Sequence, residues 1–519
     1  MSFPMRPQLK TATEIVVLAT VPLVLIAAGM MFRAAAGPFE ADPDYVYLLN
    51  GLSLLSFHPP GHYDHPGTTL QIIVAFVTIP TWLLSTPLHG PSDLKTAVLS
   101  HPQHFLRIIN LVLITANAAA AFYLGFRIRA AANFIAAIVA QTSILISFSV
   151  MIGLNRVTPE PLLLATSLVL AGYLAPLAFQ PDRFTETETY ALGLGALLGF
   201  VLVTKVTALP LLAKIFFLQK RNHRRTAAKA GVVTVLILTL PIAVHYPQMA
   251  KWFVRLFIHA GAYGGGPIGA PSVSNLWPAF LSLLSETPEI FVMFGFYVAL
   301  FPLWSGNTRR VITISMLVLV LSIAMVLKNP GARYFMPVIG SIALANAAIV
   351  SQSLAQRGIA CIGGGLLFIL LAIGIWHNAL TTSAWAQNAE QTQVDNQRLV
   401  AGTTVTGCRS IFFYGVNTPT YNLSFGDEYT QRHFGLDLNR IYPDALFYDV
   451  FGHQFESFFG PLSMKEVSSL RAADRCIRLV GSPVQRYDNF GISHSELSLV
   501  ARTNHGLGDA VAVYAWRPK

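Results

Sequence analysis

The chain has 519 residues, of which 53% are hydrophobic and only 12% charged, with a formal net charge of +10. Soluble domains carry about 25% charged residues, so this composition excludes a soluble globular protein and indicates a polytopic α-helical membrane protein. A nucleic-acid-binding role is excluded as well, because the surplus positive charge belongs to the apolar part and no soluble basic domain exists to carry it.

In chain order, apolar runs lie near 12–32, 104–124, 131–152, 157–179, 228–246, 288–305, 309–328, 332–352 and 357–379. Each approaches the ~20 residues needed to cross ~30 Å of hydrocarbon. Two further apolar segments, 67–88 and 190–220, bring the expectation to about eleven transmembrane helices. The first run follows Arg6 and Lys10 and is too long for a cleavable signal, so it reads as an uncleaved anchor with a cytoplasmic N-terminus. Lys214, Lys220, Arg221, Arg224, Arg225 and Lys229 form the densest basic patch and read as a cytoplasmic loop. With both fixed inside, the later spans alternate so that the loop 247–287 and the turn Lys328–Arg333 face outward.

The first half allows two topologies. We favour the one in which 67–88 is a juxtamembrane or re-entrant helix and 190–220 is two short helices turning near Lys205–Pro210, where Pro210 supports a break. It puts the basic turn around Arg127 and Arg129 inside and Asn155–Glu160 outside. After Asn378 the composition changes: residues 380–519 have no spanning run and hold about 12 basic and 13 acidic residues. The expected domains are therefore a transmembrane domain, 1–379, and an external, periplasmic α/β domain, 380–519. Its strand candidates are 410–415, 445–450, 476–481 and 509–515, with helices near 420–433 and 464–473. Of the three cysteines, Cys361 falls in an apolar span, while Cys408 and Cys476 are either a disulfide or two buried thiols.

The chemistry-bearing residues cluster at outward positions. Twelve Asp or Glu occur in residues 1–379, and four of them, Glu40, Asp42, Asp44 and Asp64, fall within 39–71. A carboxylate beside hydrocarbon is expensive to keep and marks function by default. Asp42 and Asp44 flank Pro43, which prevents the first span from simply continuing. Such a carboxylate takes a proton from an alcohol or ligates a divalent metal; the plain alternative is a helix cap. The run His58-Pro-Pro-Gly-His62-Tyr-Asp64-His65 has no regular metal-ligand spacing and reads as a rigid turn that docks a helix. Thr158-Pro159-Glu160 is a cap, an N1 proline and a first-turn acid, which explains helix initiation by itself. Lys328, Arg333 and Lys205 are cations at membrane boundaries, suited to phosphate or to snorkelling.

This order of motifs resembles the GT-C fold of polyprenyl-phosphate-sugar-dependent glycosyltransferases, the superfamily of the lipid A aminoarabinose transferases and protein O-mannosyltransferases. Asp42, Asp44, Tyr45 and Tyr47 are similar to its acidic motif in the first outer loop. His65-Pro66-Gly67 is similar to its His-Pro step, Thr158-Pro159-Glu160 to its second acidic turn, Lys205 to the Lys of "GLALLTK", and Arg333-Tyr334-Phe335-Met336-Pro337 to "RYLLP". The resemblance covers roughly 12–350. One departure is that the usual Asp-Glu pair is Asp-Pro-Asp here, which leaves open whether Asp44 or Asp42 is the base.

The resemblance implies an integral glycosyltransferase of the bacterial inner membrane. It would move a sugar from a polyprenyl-phosphate donor to a hydroxyl of a glycan, lipid or protein acceptor, with inversion. An Asp of the first outer loop would act as base, Glu160 would orient the acceptor or help hold a metal, and Lys205 and Arg333 would stabilise the departing phosphate. Tyr47, Tyr334 and His65 join Arg333 and Lys205 as substrate-binding candidates. A divalent metal on Asp42 and Asp44 is an option, and no organic cofactor is implied. The loop 247–287, with Tyr263-Gly264-Gly265-Gly266, is a candidate flexible lid or a linker. Competing readings are a transporter or flippase, which would show repeated halves and mid-span charges, and a non-catalytic envelope assembly protein.

Overall fold

The computed structural model describes residues 7–516 apart from 65–66, 91, 270–271, 357–358, 404–407, 414–416, 444, 450–451, 464, 468, 470–476, 484–495 and 504–510. Eight described helices are long and apolar enough to cross a membrane: Thr11–Ala35, Thr68–Thr86, Pro102–Ala131, Pro159–Phe179, Arg221–Ile258, Gly306–Val326, Ala332–Ala355 and Cys361–Ala401. Ser274–Glu286 and Pro288–Ala299, bent by 95° at Thr287, make a ninth if they form one broken span. The chain is thus a multi-pass helical membrane protein.

The expectation of about eleven spans exceeds this for two local reasons. The run 131–152 breaks into Phe134–Thr142 and Phe148–Gly153. The intervening stretch is rich in hydroxyls, and Thr142 Oγ1 and Ser143 Oγ donate back to the carbonyls of Ile138 and Val139. Such local bonds compete with helix propagation. The run 190–220 is an α-helix, Glu188–Thr204, and a 3₁₀-helix, Val206–Phe217, parted by extended Lys205 at φ −167°, ψ 138°. Neither is long enough to span. Lys214 does not join the basic loop: it is fully buried in Val206–Phe217, and its Nζ finds no hydrogen-bond partner.

The chain divides into two compact units, one of residues 1–33, 63–70 and 110–383 and one of 34–62, 71–109 and 384–519. This differs from a single cut at 379/380: the first outer loop and the segment 71–109 group with the C-terminal residues. In the first unit the helices Glu188–Thr204 and Arg221–Thr239 approach backbone to backbone. A Cβ on Gly195 would lie 2.1 Å from the Ala227 carbonyl oxygen, and one on Gly199 would lie 2.5 Å from that of Gly231. Small residues permit such contact where hydrocarbon offers no hydrophobic drive. Polar side chains tie other helices together: Tyr297 donates to Asn346 Oδ1 at 2.7 Å, and Asn346 donates to Ser143 Oγ at 2.9 Å.

The second unit is built on a seven-stranded sheet. Its strands are β1 (Arg409–Phe413), β2 (Leu446–Asp449), β3 (Gln454–Ser457), β4 (Gly460–Pro461), β5 (Ile477–Gly481), β6 (Leu497–Arg502) and β7 (Ala512–Trp516), in the order β4-β3-β2-β1-β5-β7-β6. The central β2, β1 and β5 are parallel and the outer pairs antiparallel. Ile411, Tyr448, Leu479 and Tyr514 fill its core. Cys408 is disulfide-bonded and Cys361 is free; Cys476 lies outside the described residues.

The same unit includes the first outer loop. Asn422 Nδ2 donates to the Phe39 carbonyl at 2.8 Å, His58 stacks on His433 at 4.0 Å, and His62 N donates to Asn50 Oδ1. The His-rich turn therefore docks on the C-terminal residues 429–433 as well as bonding Gln71, in the helix Thr68–His89, through the His62 carbonyl.

Candidate functional site

Within the first unit three chain breaks converge. Pro159 opens the helix Pro159–Phe179 and leaves Glu160 in its first turn. The break between two short helices carries Lys205, which is buried, and the 3₁₀-turn Ala332–Val338 carries Arg333 and Tyr334. Lys205 Nζ lies 2.6 Å from Glu160 Oε1, and Arg333 Nε lies 3.9 Å from the same oxygen. The Glu160 side chain is 3% exposed and that of Arg333 50%. Tyr334 lies under both cations, its ring centroid 4.8 Å from Lys205 Nζ and 5.2 Å from Arg333 Cζ. Glu160 Oε2 is buried without a hydrogen-bond partner. Glu160 thus faces the two phosphate-suited cations.

An apolar cavity of about 380 Å³ opens beside this cluster. Lys205, Thr207, Tyr263, Lys328, Asn329 and Tyr334 form its polar part, and Leu209, Trp252, Leu256, Phe257, Leu321 and Met325 are among the side chains of its apolar part. This combination takes a long apolar molecule with an anionic head.

The segment 247–287 is the candidate lid or linker. It holds the helices Tyr246–Ile258 and Val273–Glu286, joined through a compact hairpin in which Ala260 N donates to Pro267 O and Gly261 N to Gly265 O. Tyr263, at φ +50°, sits in the hairpin, and its hydroxyl bonds that of Tyr334 at 2.5 Å. Burial pushes the Tyr263 hydroxyl above its ordinary pKa, with Tyr334 adding to the rise. Tyr263, Asn329 and Trp252 were not singled out as binding residues from sequence.

The segment 63–70 belongs to this unit: Gly67 N donates to Val203 O, and Thr69 Oγ1 bonds Thr204 Oγ1 at 2.8 Å, beside the Lys205 break. Burial raises the Asp64 carboxyl above its ordinary pKa. His65 lies outside the described residues.

The acidic loop, in the second unit, separates its two aspartates. Ala41–Tyr45 forms a π-type turn that breaks at Asp42 (φ −111°, ψ 121°). Asp42 is exposed and Asp44 fully buried, its Oδ2 accepting from Glu40 N at 3.0 Å. Tyr45 is buried and accepts from Gln103 Nε2, and burial pushes its hydroxyl well above the ordinary range. Tyr47 is buried edge-on to His62. Among the described residues no group of three or more His, Cys, Asp or Glu is placed to hold a metal.

No protein-family model matches the sequence, and no curated protein matches it. Solved structures do match in fold. ArnT from Cupriavidus metallidurans bound to undecaprenyl phosphate superposes at a TM-score of 0.51 with 12% identity, over 96% of this chain and 97% of that one. The apo state of the same protein gives 0.51 with 13% identity, over 98% of each chain. The apo oligosaccharyltransferase of Archaeoglobus fulgidus aligns over 71% of this chain and 56% of that one, at 13% identity and a TM-score of 0.45. The chain therefore has the ArnT-like GT-C fold along nearly its whole length.

Proposed function

We propose that this protein is an inverting membrane glycosyltransferase whose donor is a sugar on a polyprenyl phosphate. The observation that carries the reading is the apolar cavity with Lys205, Lys328, Tyr263 and Tyr334 in its lining, next to Arg333. A lipid tail is held by burial of apolar surface, and its phosphate by charge-assisted bonds. That one ArnT structure was solved with undecaprenyl phosphate supports the same ligand class here.

In the reaction the acceptor oxygen forms a bond to the anomeric carbon as that carbon's bond to the phosphate oxygen breaks. The electron pair leaves with the phosphate, and the acceptor's proton passes to a carboxylate of the first outer loop. Phosphate is a weakly basic leaving group, so no acid is required. Lys205 and Arg333 meet the charge that grows on it, which lowers the barrier. The exposed Asp42 is the proposed base and buried Asp44 holds the loop. The proposed mechanism runs without a metal on these two aspartates, because Asp44 is enclosed and already accepts a backbone N–H. Tyr263 is the proposed lid residue. The enzyme is proposed to sit in a bacterial inner membrane with its C-terminal unit in the periplasm. The disulfide at Cys408 supports this, since disulfides persist in oxidising compartments.

The test is titration of purified protein with undecaprenyl phosphate, read through tryptophan fluorescence, with undecaprenol as the uncharged control. We expect saturable phosphate-dependent binding, weakened about tenfold or more in Lys205→Ala and Arg333→Ala. Equal affinity for the alcohol and the phosphate would sink the assignment.

A further inference from the structure

Glu160 is a poor fit to the role of acceptor ligand. Its carboxylate is enclosed, one oxygen faces Lys205 and Arg333, and the other has no hydrogen-bond partner. A half-satisfied buried carboxylate is costly. Two cations beside hydrocarbon would cost more if nothing answered them.

We propose that Glu160 is the internal counter-anion of the phosphate site, and that it makes the site select the donor's phosphodiester over the product's phosphomonoester. This rests on the donor reading above. The donor, a sugar–phosphate–lipid, is a diester with one negative charge. Once the sugar has left, the lipid phosphate is a monoester and carries about −1.5 to −2. Glu160 subtracts one charge from the Lys205–Arg333 pair, at 2.6 and 3.9 Å. The single charge of the donor still finds an excess of positive charge there. The second charge of the product meets the Glu160 carboxylate, so the reaction itself weakens the hold on its product. The two tyrosines are consistent with this. The Tyr263 and Tyr334 hydroxyls bond each other and offer neutral donors to either form.

Glu160 is then a positioning residue that acts through the cations, and its removal has a signature that simple disordering lacks. The probes are undecaprenyl phosphate, a monoester, and undecaprenyl methyl phosphate, a diester, each titrated against full-length protein at pH 8. In Glu160→Gln, which keeps shape and removes charge, monoester affinity should rise about tenfold or more, the size expected for removing one charge a few ångströms away. Diester affinity should rise much less, and kcat should fall through slow product release while KM does not rise. Glu160→Asp should retain the wild-type preference for the diester. Equal weakening of both probes in Glu160→Gln would overturn the inference, since Glu160 would then merely hold the cations in place. An unchanged monoester-to-diester ratio would overturn it too. If wild-type protein binds neither probe better than undecaprenol, the donor reading itself falls, and the inference falls with it.

Discussion

Asp42 and Asp44 are two positions apart and end in opposite surroundings. Asp44 is enclosed and accepts the Glu40 N–H, while Asp42 faces outward on extended backbone. A base must reach the hydroxyl it deprotonates, and in this state Asp42 reaches out. Asp42→Asn should lower kcat about 100-fold or more with unchanged thermal stability, the size expected for removing a general base. Asp44→Asn should lower activity together with the unfolding temperature, because the cap that orders the turn weakens. Sugar transfer and thermal unfolding, measured on the same preparations, separate the two. A stable but inactive Asp44→Asn beside an active Asp42→Asn would reverse the roles. Residue type at 42, 44, 160, 205 and 333 was legible from the chain, because buried or boundary charges are rare enough to stand out. The partnership of Glu160 with Lys205 was not, since residues 45 positions apart carry no local signal of contact.

At the scale of elements, the helix pair Glu188–Thr204 and Arg221–Thr239 depends on two glycines with backbone against them. Gly195→Ala puts a methyl 2.1 Å from the Ala227 carbonyl oxygen, so the helices must part. We expect a loss of about 1–3 kcal/mol, typical of overpacking, read as a lower unfolding temperature in detergent. Gly365, whose added Cβ would meet nothing, is the control position for the same substitution. In the C-terminal unit, the helix Pro419–Glu428 carries Asp427, whose Oδ1 accepts from Thr430 and Phe434 while Oδ2 has no hydrogen-bond partner. Burial raises its pKa from 3.8 to about 6. Between those values the unfolded carboxyl releases its proton and the folded one keeps it, so folding stability falls as pH rises, by about 1.4 kcal/mol per unit. Asp427→Asn removes that loss. Its unfolding temperature should gain on wild type between pH 4 and 6 and hold the gain above that. A gap that narrows as pH rises would refute the assignment. The central strands were readable because apolar β-branched and aromatic runs are unmistakable. β3, β4 and β6 were not: strands of four and two residues have no period to detect, and β6 buries no side chain fully. The broken run 131–152 misled for the converse reason: hydropathy averages over the hydroxyls that end its helices.

At the scale of the whole molecule, the number of crossings fixes which side the C-terminal unit faces. Eight crossings would return it to the side of the N-terminus, whereas nine, with the bent pair at Thr287 counted as one span, place the two on opposite sides. The distribution of charge bears on the bent pair: residues 220–229 share a side with Arg309 and Arg310, as the positive-inside rule requires, only if that pair crosses, whereas Arg127 and Arg129 share the side of the N-terminus only if Thr68–Thr86 does not cross. Hydropathy made the membrane class legible and left parity open, because a span bent by 95° and two half-length helices look alike to a sliding window. Single cysteines settle the parity. In a Cys361→Ser background, Asn222→Cys and Pro330→Cys each place a thiol at an exposed position. In intact spheroplasts a membrane-impermeant maleimide should label Cys at 330 and spare Cys at 222 until the membrane is opened. Labelling of both before permeabilisation, or of 222 alone, would invert the outer half of the molecule. It would also remove the proposed phosphate site from the face on which the proposed donor and acceptor would meet.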